Sequence, residues 1–181
     1  MKIAITGHSR GIGKALYDHL IYKGHTCVGF SRSNGYDISK PDDVTRILDK
    51  ADECDVFINN AWARYAQSNV LLENFDRWKD LEKTIVVINS RTRFGRGQDR
   101  DYNFSKKQLH KDTIKCFSDY DKRCRVISIS PGYVATDMTR SLHDQVKMMS
   151  PEKCAELITW CIEQPHEIEI GELSMWNTYI N

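Results

Sequence analysis

Three observations predict an α/β fold on a doubly wound, mostly parallel sheet with helices on both faces. Short apolar runs of strand character alternate with helix-period segments along the whole chain. A glycine-rich turn joins the first such run to the first helix. No linker, repeat or low-complexity tract interrupts 1–181, so a single domain is expected.

The elements follow in order. Lys2-Ile3-Ala4-Ile5-Thr6 reads as a strand, and Ile12, Ala15, Leu16, His19 and Leu20 share one broad helical face behind it. Gly24 stops that helix, because glycine accepts the left-handed backbone of a C-terminal cap. A second strand over 26–30 completes a unit of about 30 residues, the size of one βαβ motif. The polar stretch 31–39 holds Tyr36-Asp37-Ile38 as a very short third strand. Pro41 opens the next helix, with Asp42 and Asp43 at the positive end of its dipole and Val44, Ile47, Leu48 and Ala51 as its buried stripe. A strand is expected over 55–59. The spacing of Leu71, Leu72, Phe75, Trp78 and Leu81 predicts a helix over 71–83, and 84–89 is a β-branched strand. A loop over 91–101 leads into a long helix over 102–120. A strand over 123–128 is ended by Pro131-Gly132, and 136–149 is polar and partly helical. Pro151 starts a helix with Cys154, Ala155, Leu157, Ile158 and Cys161 inward, and 171–175 is the last strand.

Composition narrows the function. Lys plus Arg number 26 against 25 Asp plus Glu, a net charge of +1 that gives no overall attraction to nucleic acid or anionic membrane. No apolar run nears the roughly 18 residues of a membrane span, and the N-terminal run is too short for a signal peptide. The six cysteines lack CxxC spacing and sit in apolar or helical runs, as buried thiols of a reducing compartment do; the expectation is a cytoplasmic protein. No group of histidines, acids and cysteines has metal-ligand spacing, so no metal is expected.

The turn Thr6-Gly7-His8-Ser9-Arg10-Gly11-Ile12-Gly13 carries the first chemical signal. Small residues let the backbone close on a diphosphate, and the helix N-terminus behind them supplies free N–H groups and a positive dipole end. A tight turn that merely needs glycine is the plainer alternative. A phosphate loop of the Walker type is excluded, since no Lys-Ser or Lys-Thr pair follows Gly13. At the end of the second strand, where an acid would favour NAD, the chain has Ser31-Arg32-Ser33. Together with Arg10 these groups suit a 2′-phosphate, although any one arginine alone reads as surface.

Tyr102 and Lys106 are four apart on a predicted helix and share a face. A free tyrosine, with a pKa near 10, moves protons poorly at neutrality; a cation beside it stabilises the phenolate. Ser90 ends a strand at the sheet edge where α/β sites open.

Taken together these residues resemble the short-chain dehydrogenase/reductase family, and the Rossmann-type fold is what that resemblance implies. Thr6-Gly7-x-x-x-Gly11-x-Gly13 is similar to its cofactor turn, Asn59-Asn60-Ala61 to the start of its Asn-Asn-Ala-Gly motif, and Ser90, Tyr102 and Lys106 to its catalytic residues. Pro131-Gly132 with Thr136 resembles the segment that meets the nicotinamide. By that likeness Tyr102 protonates a carbonyl oxygen, Lys106 lowers its pKa and binds the cofactor's ribose, and Ser90 orients the carbonyl. Arg10 and Arg32 match basic positions of NADP-preferring members, and Asp37, with Ile38 beside it, matches the acid that meets the adenine. The implied cofactor is NADP(H).

The chain also departs from the family. It is short, and its helices look trimmed. There is no room between Phe30 and Gly35 for the usual helix, and no asparagine matches the family's fourth catalytic residue; Asn74 is the nearest. Trp62 replaces the glycine after Ala61. Arg91, Arg93, Arg96 and Arg100 crowd the loop after Ser90. A solvated loop explains them most simply, an anionic substrate held by Arg91 or Arg93 comes second, and RNA a distant third. The resulting expectation is NADPH-dependent reduction of a small or anionic carbonyl compound, or the reverse oxidation. Alternatives are a non-catalytic NADP(H) sensor or assembly protein, and an isomerase or dehydratase using bound cofactor. The aromatic tail from Trp176 to Ile180 and the family's habits suggest a homodimer more than a tetramer.

Overall fold

The structure is a computed structural model describing residues 1–95, 99–143 and 145–178. Arg96, Tyr179 and Ile180 lie outside the described residues. The elements are β1 (Lys2–Thr6), α1 (Gly11–Tyr22), β2 (Thr26–Phe30), α2 (Pro41–Ala51), β3 (Val56–Asn59), α3 (Ala66–Trp78), β4 (Thr84–Ile88), α4 (Arg100–Phe117), β5 (Arg125–Pro131), α5 (Pro151–Ile162) and β6 (Glu172–Met175). Short 3-10 turns over Arg32–Asn34, Arg91–Phe94 and Asp137–Leu142 complete the described residues.

Among those residues the strands form one sheet of six in the order β2-β1-β3-β4-β5-β6, and every pairing is parallel. Strands buried on both faces must be apolar throughout, which is why β3 and β4 read Val-Phe-Ile-Asn and Thr-Ile-Val-Val-Ile. Alternation divides their side chains between two cores. Ile3, Ile5, Val56, Ile58, Val86 and Ile127 face α1 and α5. Ala4, Phe57, Ile85, Val87 and Val126 face α2, α3 and α4. Trp78 anchors the second core, fully buried with Nε1 donating to Asp52 at 2.8 Å.

The chain leaves β1 in one direction, to β2, then returns past β1 to β3 and continues outward. The strand order therefore reverses between β1 and β3, the place where open α/β sheets bind ligands beyond their carboxyl ends. Helix caps fix how the neighbouring loops enter. Asp99 caps α4 by accepting from the Tyr102 N–H at 3.0 Å, and Ser150 caps α5 by accepting from Lys153 N–H at 3.1 Å.

Three sequence expectations are corrected. Tyr36-Asp37-Ile38 forms no strand: Gly35 turns left-handed at φ +83°, Asp37 spends an oxygen on the Ser39 N–H and hydroxyl, and Ile38 drops into the core. The helix expected over 71–83 starts five residues earlier and stops at Trp78, because Gln67 and Ser68, polar in the sequence, are buried on its first turns. The strand expected over 123–128 runs from Arg125 to Pro131 instead, with Pro131, its last residue, paired with Met175. All six cysteines are unpaired; burial pushes the Cys154 and Cys116 thiols up to about 12, as inert packing groups. No described helix is long and apolar enough to cross a membrane.

Candidate active site

The glycine turn closes because nothing but hydrogen fits at its centre. A Cβ on Gly13 would stand 2.2 Å from the Gly7 oxygen and 2.5 Å from Asn60 Nδ2. Gly7 and Gly11 take φ of +72° and +56°, a region that costs other residues dearly. Thr6, fully buried, joins the two strands of the switch point: its Oγ1 accepts from the N–H of Asn60 and of Ala61, each at 3.0 Å. Asn60 Nδ2 donates back to the Thr6 and Gly7 carbonyls at 3.0 and 3.3 Å. Asn60 thus braces the turn. Arg10, at the N-cap of α1, provides no side-chain cap, which leaves the helix's first N–H groups for an anion. Ser9 and Arg10 are exposed, Gly11 and Ile12 half-buried.

Around that turn stand the other expected cofactor residues. Ser31 begins the 3-10 turn and its hydroxyl meets that of Ser33 at 2.7 Å, while Arg32 is exposed. Asp37 lies close enough to Arg32 for that charge, after its bonds from Ser39, to help hold its carboxyl below the usual range. Thr136 approaches from the opposite side; its Cγ2 would lie 3.4 Å from a Cβ on Gly11. Gly132 N–H donates to Met175 O at 2.9 Å, tying the Pro131-Gly132 segment to β6. A cleft of about 310 Å³ between Gly11, Lys14, Thr136, Asp137 and Glu152 opens here. A closed cradle without side chains and an uncapped helix N-terminus with an arginine on its rim fit a dinucleotide diphosphate.

Ser90, Tyr102 and Lys106 gather at the same sheet edge. Ser90 follows β4 and accepts from Thr92 N–H at 3.2 Å. Tyr102 is half-buried. Burial pushes its pKa up, the neighbouring Ser90 hydroxyl pulls the other way, and Asp99 adds to the rise. Lys106 is 2% exposed, with Nζ 5.7 Å from the centre of the Tyr102 ring. Its ammonium donates to Gln67 Oε1 and to the Ile88 carbonyl, both at 2.8 Å, and burial alone lowers its pKa to about 7.

Trp62 joins the two halves of the site. Its ring meets Tyr102 edge-on at 5.2 Å between centres, and its Nε1 donates to Ser105 Oγ at 3.0 Å. Two residues on, Arg64, held at φ +48°, pairs with Asp101 on the first turn of α4 at 3.1 Å. The loop after β3 is thereby fastened to the glycine turn at one end and to the tyrosine's helix at the other.

The two arginines expected to meet substrate part company. Each guanidinium nitrogen of Arg93 has a partner inside the protein: Nε donates to Ser130 at 3.1 Å, one terminal nitrogen to His110 Nε2 at 2.6 Å, and the other to Glu172. Arg93, 8% exposed, is an internal staple, and its expected contact with substrate is set aside for that reason. Arg91 stacks on Trp176, its guanidinium carbon 3.2 Å from the ring centre. Asn74 is fully buried, and neither of its side-chain polar atoms has a hydrogen-bond partner among the described residues. Sequence reading missed Gln67, since a lone glutamine ahead of an apolar stripe carries no periodic signal. It also missed His110 and Glu172, which reach Arg93 across 17 and 79 residues.

Solved structures share this architecture. A short chain dehydrogenase from Burkholderia cenocepacia J2315 in complex with NADP superposes with a TM-score of 0.84 over 97% of this chain and 87% of its own, at 20% identity. The fold is that of the short-chain dehydrogenases/reductases. The 3-alpha-hydroxysteroid dehydrogenase from Pseudomonas sp. B-0831, complexed with NADH, matches at 0.81 with 20% identity, covering 97% and 94% of the two chains. The 3-ketoacyl-(acyl-carrier-protein) reductase from Brucella melitensis, also with NADH, matches at 0.76 with 17% identity over 96% and 95%. No family model and no curated sequence matches the chain.

Proposed function

We propose that this protein is an NADP(H)-dependent oxidoreductase of the short-chain dehydrogenase/reductase family that reduces a small carbonyl compound or runs the reverse oxidation. What carries the reading is the bridge across the site: Asn60 and Ala61 bond Thr6 of the glycine turn, and the next residue, Trp62, packs on Tyr102. A dinucleotide seated on the turn would then have its reactive end toward Tyr102. Thr6, Gly7, Ser9, Arg10, Gly11, Ile12 and Gly13 would hold its diphosphate end. Ser31, Arg32 and Ser33 would take the 2′-phosphate, with Asp37 and Ile38 at the adenine and Asn60, Ala61, Lys106, Pro131, Gly132 and Thr136 toward the nicotinamide. When bound, the nicotinamide supplies or takes the hydride.

The chain's own residues do the rest. The Tyr102 hydroxyl gives its proton to the carbonyl oxygen, and the Ser90 hydroxyl orients that oxygen. Raised by burial, Tyr102 stays protonated at neutrality, the state an acid needs before reduction. Lys106 is charged below about pH 7, where its field favours release of that proton. Arg91, on the rim beside Ser90, is the residue to hold a carboxylate or phosphate of the substrate. Supporting NADP(H) over NAD(H) are two exposed arginines and the absence of an acid next to Arg32. Six unpaired cysteines agree with a reducing, cytoplasmic setting, and Phe104 and Ile114, exposed on α4, offer a face for a homodimer.

The test combines binding with turnover. Calorimetry with NADPH is expected to give a single site per chain, and an absorbance screen over aldehydes, ketones and keto acids is expected to find a substrate. Binding without any turnover across the panel would favour the sensor.

A further inference from the structure

Lys106 brings a charge into the core with no opposite charge to meet it, and Gln67 is what it meets instead. Gln67 sits on the first turn of α3 and is 1% exposed. Its Nε2 donates to the carbonyls of Asn59 and Ile88 at 2.8 and 3.0 Å. Asn59 Nδ2 donates in return to the Gln67 backbone carbonyl at 2.8 Å. With two carbonyls on its nitrogen, the amide has one orientation, and Oε1 faces Lys106 Nζ at 2.8 Å. The Ile88 carbonyl takes a second ammonium proton at 2.8 Å. From the elements packed around Nζ come an amide oxygen on α3, a carbonyl on β4 and the Tyr102 ring on α4; among the described residues no charged side chain contributes to its titration.

We propose that Gln67 is the positioning residue of the Tyr102–Lys106 pair, its amide oxygen fixing where the ammonium stands and favouring its charged form. The inference rests on the oxidoreductase reading for its consequence in turnover, but not for its geometry. A hydrogen bond from an ion to a neutral acceptor is stronger than one between neutral groups, yet it brings no counter-charge. Such a partner leaves the lysine titratable near neutrality, whereas a carboxylate would lock it charged. The short α3, which offers no asparagine to the site, offers this glutamine in its place.

The test is the titration of Lys106 in the whole protein, read by NMR of isotope-labelled lysine, its signal assigned as the one missing in Lys106→Met. The natural protein is expected to titrate at about 7. Gln67→Glu should raise the midpoint by about 1–3 pH units, the effect of an opposite charge in contact. Gln67→Met should lower it. Both variants lose the same two bonds to Asn59 and Ile88, but the carboxylate adds a charge whatever Gln67 does, so Gln67→Met decides. A midpoint unchanged or raised in Gln67→Met overturns the proposal. Where a variant fails to fold, the natural protein still decides. The Gln67 side-chain amide protons should shift with the Lys106 midpoint, and amide signals flat across that range contradict the assignment. None of these readouts uses cofactor or substrate. Midpoints that split as expected in a protein without turnover would sink the oxidoreductase reading and leave this inference standing.

Discussion

Two buried cations lie at the carboxyl edge of the sheet, and the protein treats them in opposite ways. Arg93 is locked in an ion pair with Glu172, with His110 and Ser130 taking its other donors. Lys106, one helical turn before His110 on α4, is given an amide oxygen and a backbone carbonyl only. The first arrangement holds the 3-10 turn after Ser90 against β6 and α4. The second costs desolvation without a counter-charge and leaves the lysine on the edge of neutrality. A fixed charge serves as a staple, whereas the titratable lysine is kept among neutral partners.

Breaking the staple should have the largest effect. Glu172→Ala leaves the Arg93 guanidinium, 3% exposed at its side chain, without a counter-ion. The expected loss is about 3 kcal/mol in urea unfolding, at the low end for a buried pair because Glu172 is itself 32% exposed. Replacing both by Met should recover more than half of it. A loss no larger in Glu172→Ala than in the double variant would mean that the pair carries no special weight.

The lysine makes a contrasting prediction. Its folded pKa of about 7 lies below the ordinary 10.5, so the unfolded chain binds more protons between those values and stability rises with pH across that window. One proton gives on the order of 1.4 kcal/mol per pH unit, so about 2–3 kcal/mol should separate pH 7 from pH 9. Lys106→Met should lack that slope while losing NADPH oxidation by about 100-fold or more. Parallel pH–stability curves for the two proteins would contradict the assignment.

This difference also marks what the sequence could and could not reveal. The glycine turn was legible, since Gly7, Gly11 and Gly13 are demanded by local backbone geometry and contact with Asn60. The parallel sheet followed from strand–helix alternation, and the shared face of Tyr102 and Lys106 from their spacing of four. The partners of the buried cations were not legible. Arg93 sits in a run of arginines that reads as solvated surface, and its ion pair forms only when β6 arrives beside β5. Gln67 becomes a partner of Lys106 only through packing of α3 on α4. Tyr36-Asp37-Ile38 misled for a similar reason: its residues suit a strand, but local turns at Gly35 and Ser39 use their backbone first.

Smaller effects test the rim. Arg32, exposed and unlike either buried cation, should matter for the 2′-phosphate alone. Arg32→Glu is expected to weaken NADPH by at least about tenfold, roughly 1.5 kcal/mol, while NADH changes little. Equal affinities of the natural protein for both cofactors would remove the basis for NADP preference. Smallest is the acid response of the staple. Burial first and Arg93 second depress the His110 pKa below 6.5, so stability is lost as pH falls through that value. The total should stay under about 1 kcal/mol for this partly exposed ring, and His110→Phe should abolish the slope.

The account stands or falls most directly on where a nicotinamide comes to rest. A crystal structure with NADP+ should show the diphosphate on the N–H groups of Gly11 to Gly13, the 2′-phosphate at Arg10 and Arg32, and the nicotinamide between Thr136 and the Ser90–Tyr102 pair. A nicotinamide lying away from Tyr102, or a cofactor that never enters the glycine turn, would contradict it.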